Sequence, residues 1–105
     1  MTRSNYLRLW ESLRARGVLL VAMQYPRRPL SSLQLLFDDP SGIVFVDNEA
    51  RFEDALRRMP YEQVFMDRCY GDFGHATEFG RRMLAQSVAE AMLGWLGGRG
   101  GSEAL

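Results

Sequence analysis

The stretch Asp67-Arg-Cys-Tyr-Gly-Asp-Phe-Gly-His75 holds the residue types of this sequence that can do chemistry: two carboxylates, a thiol and the only histidine of the chain. An imidazole takes and returns a proton near neutral pH, as general-base catalysis of acyl transfer requires. A carboxylate beside it selects the ring tautomer and stabilises the imidazolium as it forms. Asp72 stands three residues before His75, a spacing that on a tight loop lets it reach back toward the ring, with Gly71 and Gly74 supplying backbone freedom. The same spacing also fits a bland role, in which a histidine ahead of a helix is hydrogen-bonded to a nearby aspartate. Cys69 reads better as a structural thiol than as a nucleophile, because six residues separate it from His75 and no other group is placed to activate it. Asp67, Asp72 and His75 are all metal-ligand types, yet one histidine among scattered carboxylates does not define a metal site, and neither metal nor cofactor is expected.

The elements around this loop must position it. Ser4 caps a predicted amphipathic helix to about Arg16, with Gly17 as its stop signal. Val18–Tyr25 is almost continuously apolar before Pro26 and reads as a strand buried on both faces of a parallel sheet. A proline-bounded loop with Arg27 and Arg28 follows, and the arginines read as solvated. The pattern then predicts a short helix over 32–37, a second buried strand at Ile43–Val46, and a helix over Glu49–Met59 capped at Asp47-Asn48. A short extended piece, Gln63–Met66, leads into the loop. Thr77 caps a long helix with Phe79, Met83, Leu84, Val88, Met92, Trp95 and Leu96 on its apolar stripe. Residues 1–96 form one predicted domain, and 97–105 read as a flexible tail too glycine-rich to hold a helix.

This alternation is that of an α/β fold with a parallel sheet, but two strands fall short of the five or six typical of such sheets, so the chain reads as part of something larger. A complementary N-terminal half or a homo-oligomer is the expected partner. Its 105 residues carry 13 basic and 13 acidic side chains, a balance that gives no field to attract nucleic acid or an anionic membrane. All the basic residues are arginine, which we read as coding bias rather than chemistry. No apolar run approaches the length of a membrane span. The single cysteine excludes an internal disulfide and leaves the compartment open.

Asp72-Phe-Gly-His75-Ala-Thr77-Glu-Phe-Gly80, continuing into Arg-Arg-Met-Leu-Ala-Gln-Ser-Val-Ala89, resembles the last signature block of the SGNH (GDSL-like) hydrolases. The helix and strand through Leu13-Arg-Ala-Arg-Gly17-Val-Leu-Leu-Val-Ala-Met-Gln-Tyr-Pro26 are similar to the elements that precede that block, so the resemblance spans roughly residues 4–96. It implies the C-terminal part of a flavodoxin-like three-layer α/β/α sandwich, hydrolysis of esters or of acetylated small molecules or carbohydrates, and no cofactor. It also implies Asp72 and His75 as the acid and base of a catalytic triad. The family's Gly-Asp-Ser nucleophile block and its oxyanion-hole Gly and Asn blocks have no counterpart here. The expectation is therefore a hydrolase portion inactive by itself, with a non-enzymatic α/β interaction domain pairing with a partner chain as the alternative.

Overall fold

The computed structural model describes the backbone of residues 3–103 and the side chains of residues 3–98. Helix α1 (Arg3–Ala15) ends where Gly17 N–H donates to the Arg14 carbonyl and Val18 N–H to the Leu13 carbonyl, a closure that turns the chain directly into strand β1 (Leu20–Met23). Helix α2 (Leu30–Gln34) is one short turn entered from Pro29. Strand β2 (Ile43–Val46) follows, then α3 (Glu49–Arg58), α4 (Tyr61–Val64) and the long α5 (Glu78–Glu103).

β1 and β2 pair in parallel, Leu20 against Ile43 through Met23 against Val46. Alternation along each strand sends Leu20, Ala22, Ile43 and Phe45 to one side, where they join Trp10 of α1 and Leu33 of α2 in one apolar cluster. Val44 and Val46 point the other way on β2, the strand against which α5 packs, and both are buried. A second cluster joins Phe52 and Ala55 of α3, Val64, Phe65, Phe73, and Met83 of α5. Phe52 stacks on Phe65 with ring centroids 5.5 Å apart, and both are essentially inaccessible. The mixed α/β class and the parallel pairing match the expectation from sequence.

Several local expectations are corrected. β1 spans four residues instead of Val18–Tyr25, and only Ala22 in it is buried, while Met23 is 47% exposed. On the side of Val21 and Met23 the first is half-buried and the second exposed, so two-sided burial is met only on β2. Asn48 is the N-cap residue of α3 as expected, but its side chain makes no capping bond. Asp47 Oδ1 instead accepts the Glu49 N–H at 3.0 Å, freeing Asn48 to donate its amide to the Gln24 carbonyl at 2.9 Å, tying the ends of the two strands together. The piece expected to be extended at Gln63–Met66 is partly the helical turn α4, started at Pro60, and only Phe65 makes a bridge, antiparallel to Ala76. α5 does not stop at Gly97. Its hydrogen-bonded backbone runs on to Glu103, because extending a formed helix adds one bond for each residue fixed even where glycine disfavours it. The rest of the expected tail lies outside the described residues.

Phe52, stacked on Phe65, is one of the two largest fully buried side chains among the described residues. Phe52→Ala is expected to cost about 3–5 kcal/mol by urea unfolding, against less than about 0.5 kcal/mol for Leu35→Ala at a surface position.

Candidate functional site

The loop between α4 and α5 is tied across its base by two short backbone hydrogen bonds: Met66 N–H to the His75 carbonyl at 2.7 Å, and Thr77 N–H to the Val64 carbonyl at 3.0 Å. The Thr77 hydroxyl faces the carbonyls of Gln63 and Val64 at 2.7 and 3.0 Å and accepts the Gly80 N–H at 3.1 Å, so it caps α5 and ties it to the end of α4. A Cβ at Gly80 would overlap the Val64 carbonyl, so this junction closes only with glycine there. The Tyr61 hydroxyl donates to the Asp67 carbonyl at 2.6 Å, and the Arg68 guanidinium covers the Tyr61 ring at 3.7 Å. Partial burial pushes the Tyr61 hydroxyl pKa up, keeping it a donor.

Inside this frame His75 meets Asp67. His75 Nδ1 lies 2.7 Å from Asp67 Oδ2, and the His75 backbone N–H donates to Asp67 Oδ1 at 2.8 Å. One carboxylate thus grips both the backbone and the ring of the same residue. These bonds, the backbone one first and the ring one next, hold the Asp67 carboxyl far below its ordinary range, at about 2. An ionised acceptor at Nδ1 fixes the proton there and leaves Nε2 as the acceptor; among the described residues Nε2 makes no hydrogen bond, and the side chain is 60% exposed. Gly74 is what admits this grip: a Cβ there would overlap both the carbonyl and the carboxylate of Asp67. Its role is space, where the sequence suggested backbone angle.

Asp72 does not make the contact expected of it. The turn at Gly71, with φ +87°, directs its carboxylate toward the loop after β1, where Arg28 Nη1 binds both oxygens at 2.9 and 3.1 Å and Arg27 Nε stands 3.9 Å away. The hydrogen bond from Arg28 holds the Asp72 carboxyl below its ordinary range. The arginines read as solvated therefore dock the loop. Tyr25 reinforces this docking by packing on Phe73 and Tyr70 at 5.6 and 6.0 Å, and Tyr70 lies 5.9 Å from the His75 ring. Between these elements lies an apolar cavity of about 240 Å³, lined by Met23, Tyr25, Tyr70, Phe73 and Leu84.

Cys69 Sγ lies 3.5 Å from His75 Nδ1. Burial first, and then the Asp67 carboxylate, push its pKa up, so it is held as a thiol and is no activated nucleophile. The sequence reading missed Asp67 as the partner of His75. The available signal was its position at the end of the apolar Val64-Phe-Met66 piece, where loops that carry function begin.

No helix among the described residues is long and apolar enough to cross a membrane. Comparison with known proteins finds no matching family model, curated protein or solved structure.

Two tests address the geometry. Nitrogen-15 NMR of the imidazole should show the Nδ1–H tautomer in the wild type and in Asp72→Asn, and its loss in Asp67→Ala and Gly74→Ala. The His75 amide resonance should titrate with a midpoint near 2: the depressed Asp67 pKa means the bond is intact above the ordinary carboxylate range and is lost as pH falls through that value.

Proposed function

We propose that this chain is the acid–base portion of an SGNH-type serine ester hydrolase, in which His75 is the general base and Asp67 orients it. The observation that carries this reading is the 2.7 Å contact between Asp67 Oδ2 and His75 Nδ1, in a side chain 60% exposed whose Nε2 makes no hydrogen bond among the described residues. That is the carboxylate–imidazole half of a Ser-His-Asp triad, recognised by roles and geometry rather than by chain position. Its place supports the same reading: the loop is docked by Tyr25 and Arg28 onto the segment leaving the carboxyl end of β1, the side of a parallel sheet where ligands bind. The flavodoxin-like sandwich belongs to this proposal, with further strands added at the open edges of the two-stranded sheet.

In the mechanism, a serine hydroxyl supplied by the complementary segment hands its proton to Nε2 as its oxygen attacks the ester carbonyl. Asp67 keeps the other proton on Nδ1 and stabilises the imidazolium. Nε2–H then protonates the leaving alkoxide, and a water repeats the cycle to release the acid. The resemblance of Asp72-Phe-Gly-His75 to the family block would assign the orienting role to Asp72; the geometry supports Asp67 there and gives Asp72 the docking of the loop.

The isolated chain is expected to hydrolyse p-nitrophenyl acetate no faster than its His75→Ala variant, because it has no nucleophile block. In an active form completed with a Gly-Asp-Ser segment, Asp67→Asn should lower kcat by roughly 10²–10⁴-fold, with Asp72→Asn milder. A large loss in Asp72→Asn with Asp67→Asn unaffected would return the role to Asp72. Activity untouched by His75→Ala would end the hydrolase reading.

A further inference from the structure

We propose that Asp67, Cys69 and His75 form a binding site for a zinc-like divalent cation, with at least one coordination position left to water. The site does not rest on the hydrolase reading. A carboxylate oxygen, a thiol sulfur and an imidazole nitrogen, one donor from each residue, all lie within 4.8 Å of one another on the loop surface. They differ in kind, and sulfur with imidazole nitrogen and carboxylate oxygen is the donor mixture that zinc accepts and that magnesium and calcium do not favour. The three side chains are exposed, so an ion reaches them without unfolding the loop and solvent completes the shell.

The distances fit. Sulfur and nitrogen bound to one tetrahedral zinc at about 2.3 and 2.0 Å stand about 3.5 Å apart; Cys69 Sγ and His75 Nδ1 are 3.5 Å apart. Nitrogen and carboxylate oxygen on the same ion stand about 3.4 Å apart, against 2.7 Å between His75 Nδ1 and Asp67 Oδ2. Opening that pair by less than about 1 Å is a small side-chain rotation, and the Asp67 Oδ1 contact with the His75 backbone N–H can stay in place while Oδ2 turns. The backbone holding the site is braced independently by the Met66–His75 bond, the Tyr61 hydroxyl on the Asp67 carbonyl and the Arg28 grip on Asp72.

Ligation has a defined chemical consequence. The thiol gives its proton to solvent and binds as thiolate. The neutral imidazole binds through Nδ1, so its proton sits on Nε2 instead. A ring in that tautomer cannot accept a proton at Nε2, so the metal-bound state and the base-competent state exclude one another. Where His75 serves as the general base proposed above, the ion would inhibit that role; the binding itself does not depend on it.

Cobalt(II) is the probe, because thiolate ligation gives a near-ultraviolet charge-transfer band and four-coordination gives intense visible bands. Titration of the reduced full chain should produce both with one equivalent, and zinc should displace them. Cys69→Ser should abolish the near-ultraviolet band, and His75→Gln and Asp67→Asn should each weaken binding at least about tenfold. As a second readout, zinc should protect Cys69 from alkylation in the wild type and not in His75→Gln, which reports on the site even if the Asp67 variant loosens the loop. Absence of the thiolate band, or equal cobalt affinity in the wild type, Cys69→Ser and His75→Gln, would overturn the proposal. Neither result bears on ester hydrolysis, which is read without metal.

Discussion

The Asp67 carboxylate is the point on which the local structure depends, because it satisfies two donors of one residue that lies eight positions along the chain. A loop with two glycines and no regular ladder has little to hold it against the conformational entropy of its residues. A charge-assisted pair of bonds to the backbone N–H and the ring of a single residue supplies that hold and at the same time selects the ring tautomer. The group that orders the loop is thus also the group that orients the imidazole. The fit also explains why the position before the histidine is glycine, since any side chain there would occupy the space of the carboxylate.

Around this contact the molecule is organised as two apolar clusters on either side of β2. The first lies under α1 and α2, the second between α3, α4 and α5. The loop between α4 and α5 grows from the second, through Phe65 and Phe73, and is fastened back to the end of β1 through Arg28 and Tyr25. It therefore bridges the parts of the chain that precede and follow β2, and its position reports on the packing of both. The Gln24–Asn48 bond does the same work beneath it, joining the ends of the two parallel strands.

Much of this was legible in the residues. The order of helices and strands, the parallel class and the capping by Thr77 follow from periodicity, buried apolar runs and a hydroxyl placed ahead of a long amphipathic stretch. Strand β2 was read to the residue because Gly42 and Asp47 bound it, whereas β1 was overextended because its flanking residues are as apolar as the strand itself and only pairing decides where it ends. The loop was legible as an irregular segment holding the chain's only histidine, but not in its wiring. Spacing in sequence favoured Asp72, yet a turn at Gly71 reverses the chain and carries Asp72 to Arg28, 44 positions earlier, while the antiparallel closure at Phe65–Ala76 brings Asp67 under His75. Contacts set by chain reversal are not encoded in local spacing. The approach of Cys69 to the His75 ring was hidden for the same reason, although its reading as a thiol that is no nucleophile stands.

The exposure of the dyad bears on what a catalytic role would require beyond a nucleophile. With the Asp67 and His75 side chains 41% and 60% accessible, their charges are screened by water, and an attraction that would be strong in a dry site is weak here. A triad base works in a water-excluded environment, where a developing imidazolium and oxyanion are stabilised by fixed dipoles instead of mobile solvent. The surfaces next to the dyad are apolar and uncovered: Met23, Tyr25 and Tyr70 stand largely open on the side of the loop that faces the cavity. A segment packing over them would bury apolar area, exclude water from the imidazole and bring its own residues to Nε2 in one step. On the proposed hydrolase reading, such a cover would lower the dielectric around His75 by the same packing that buries Met23, Tyr25 and Tyr70.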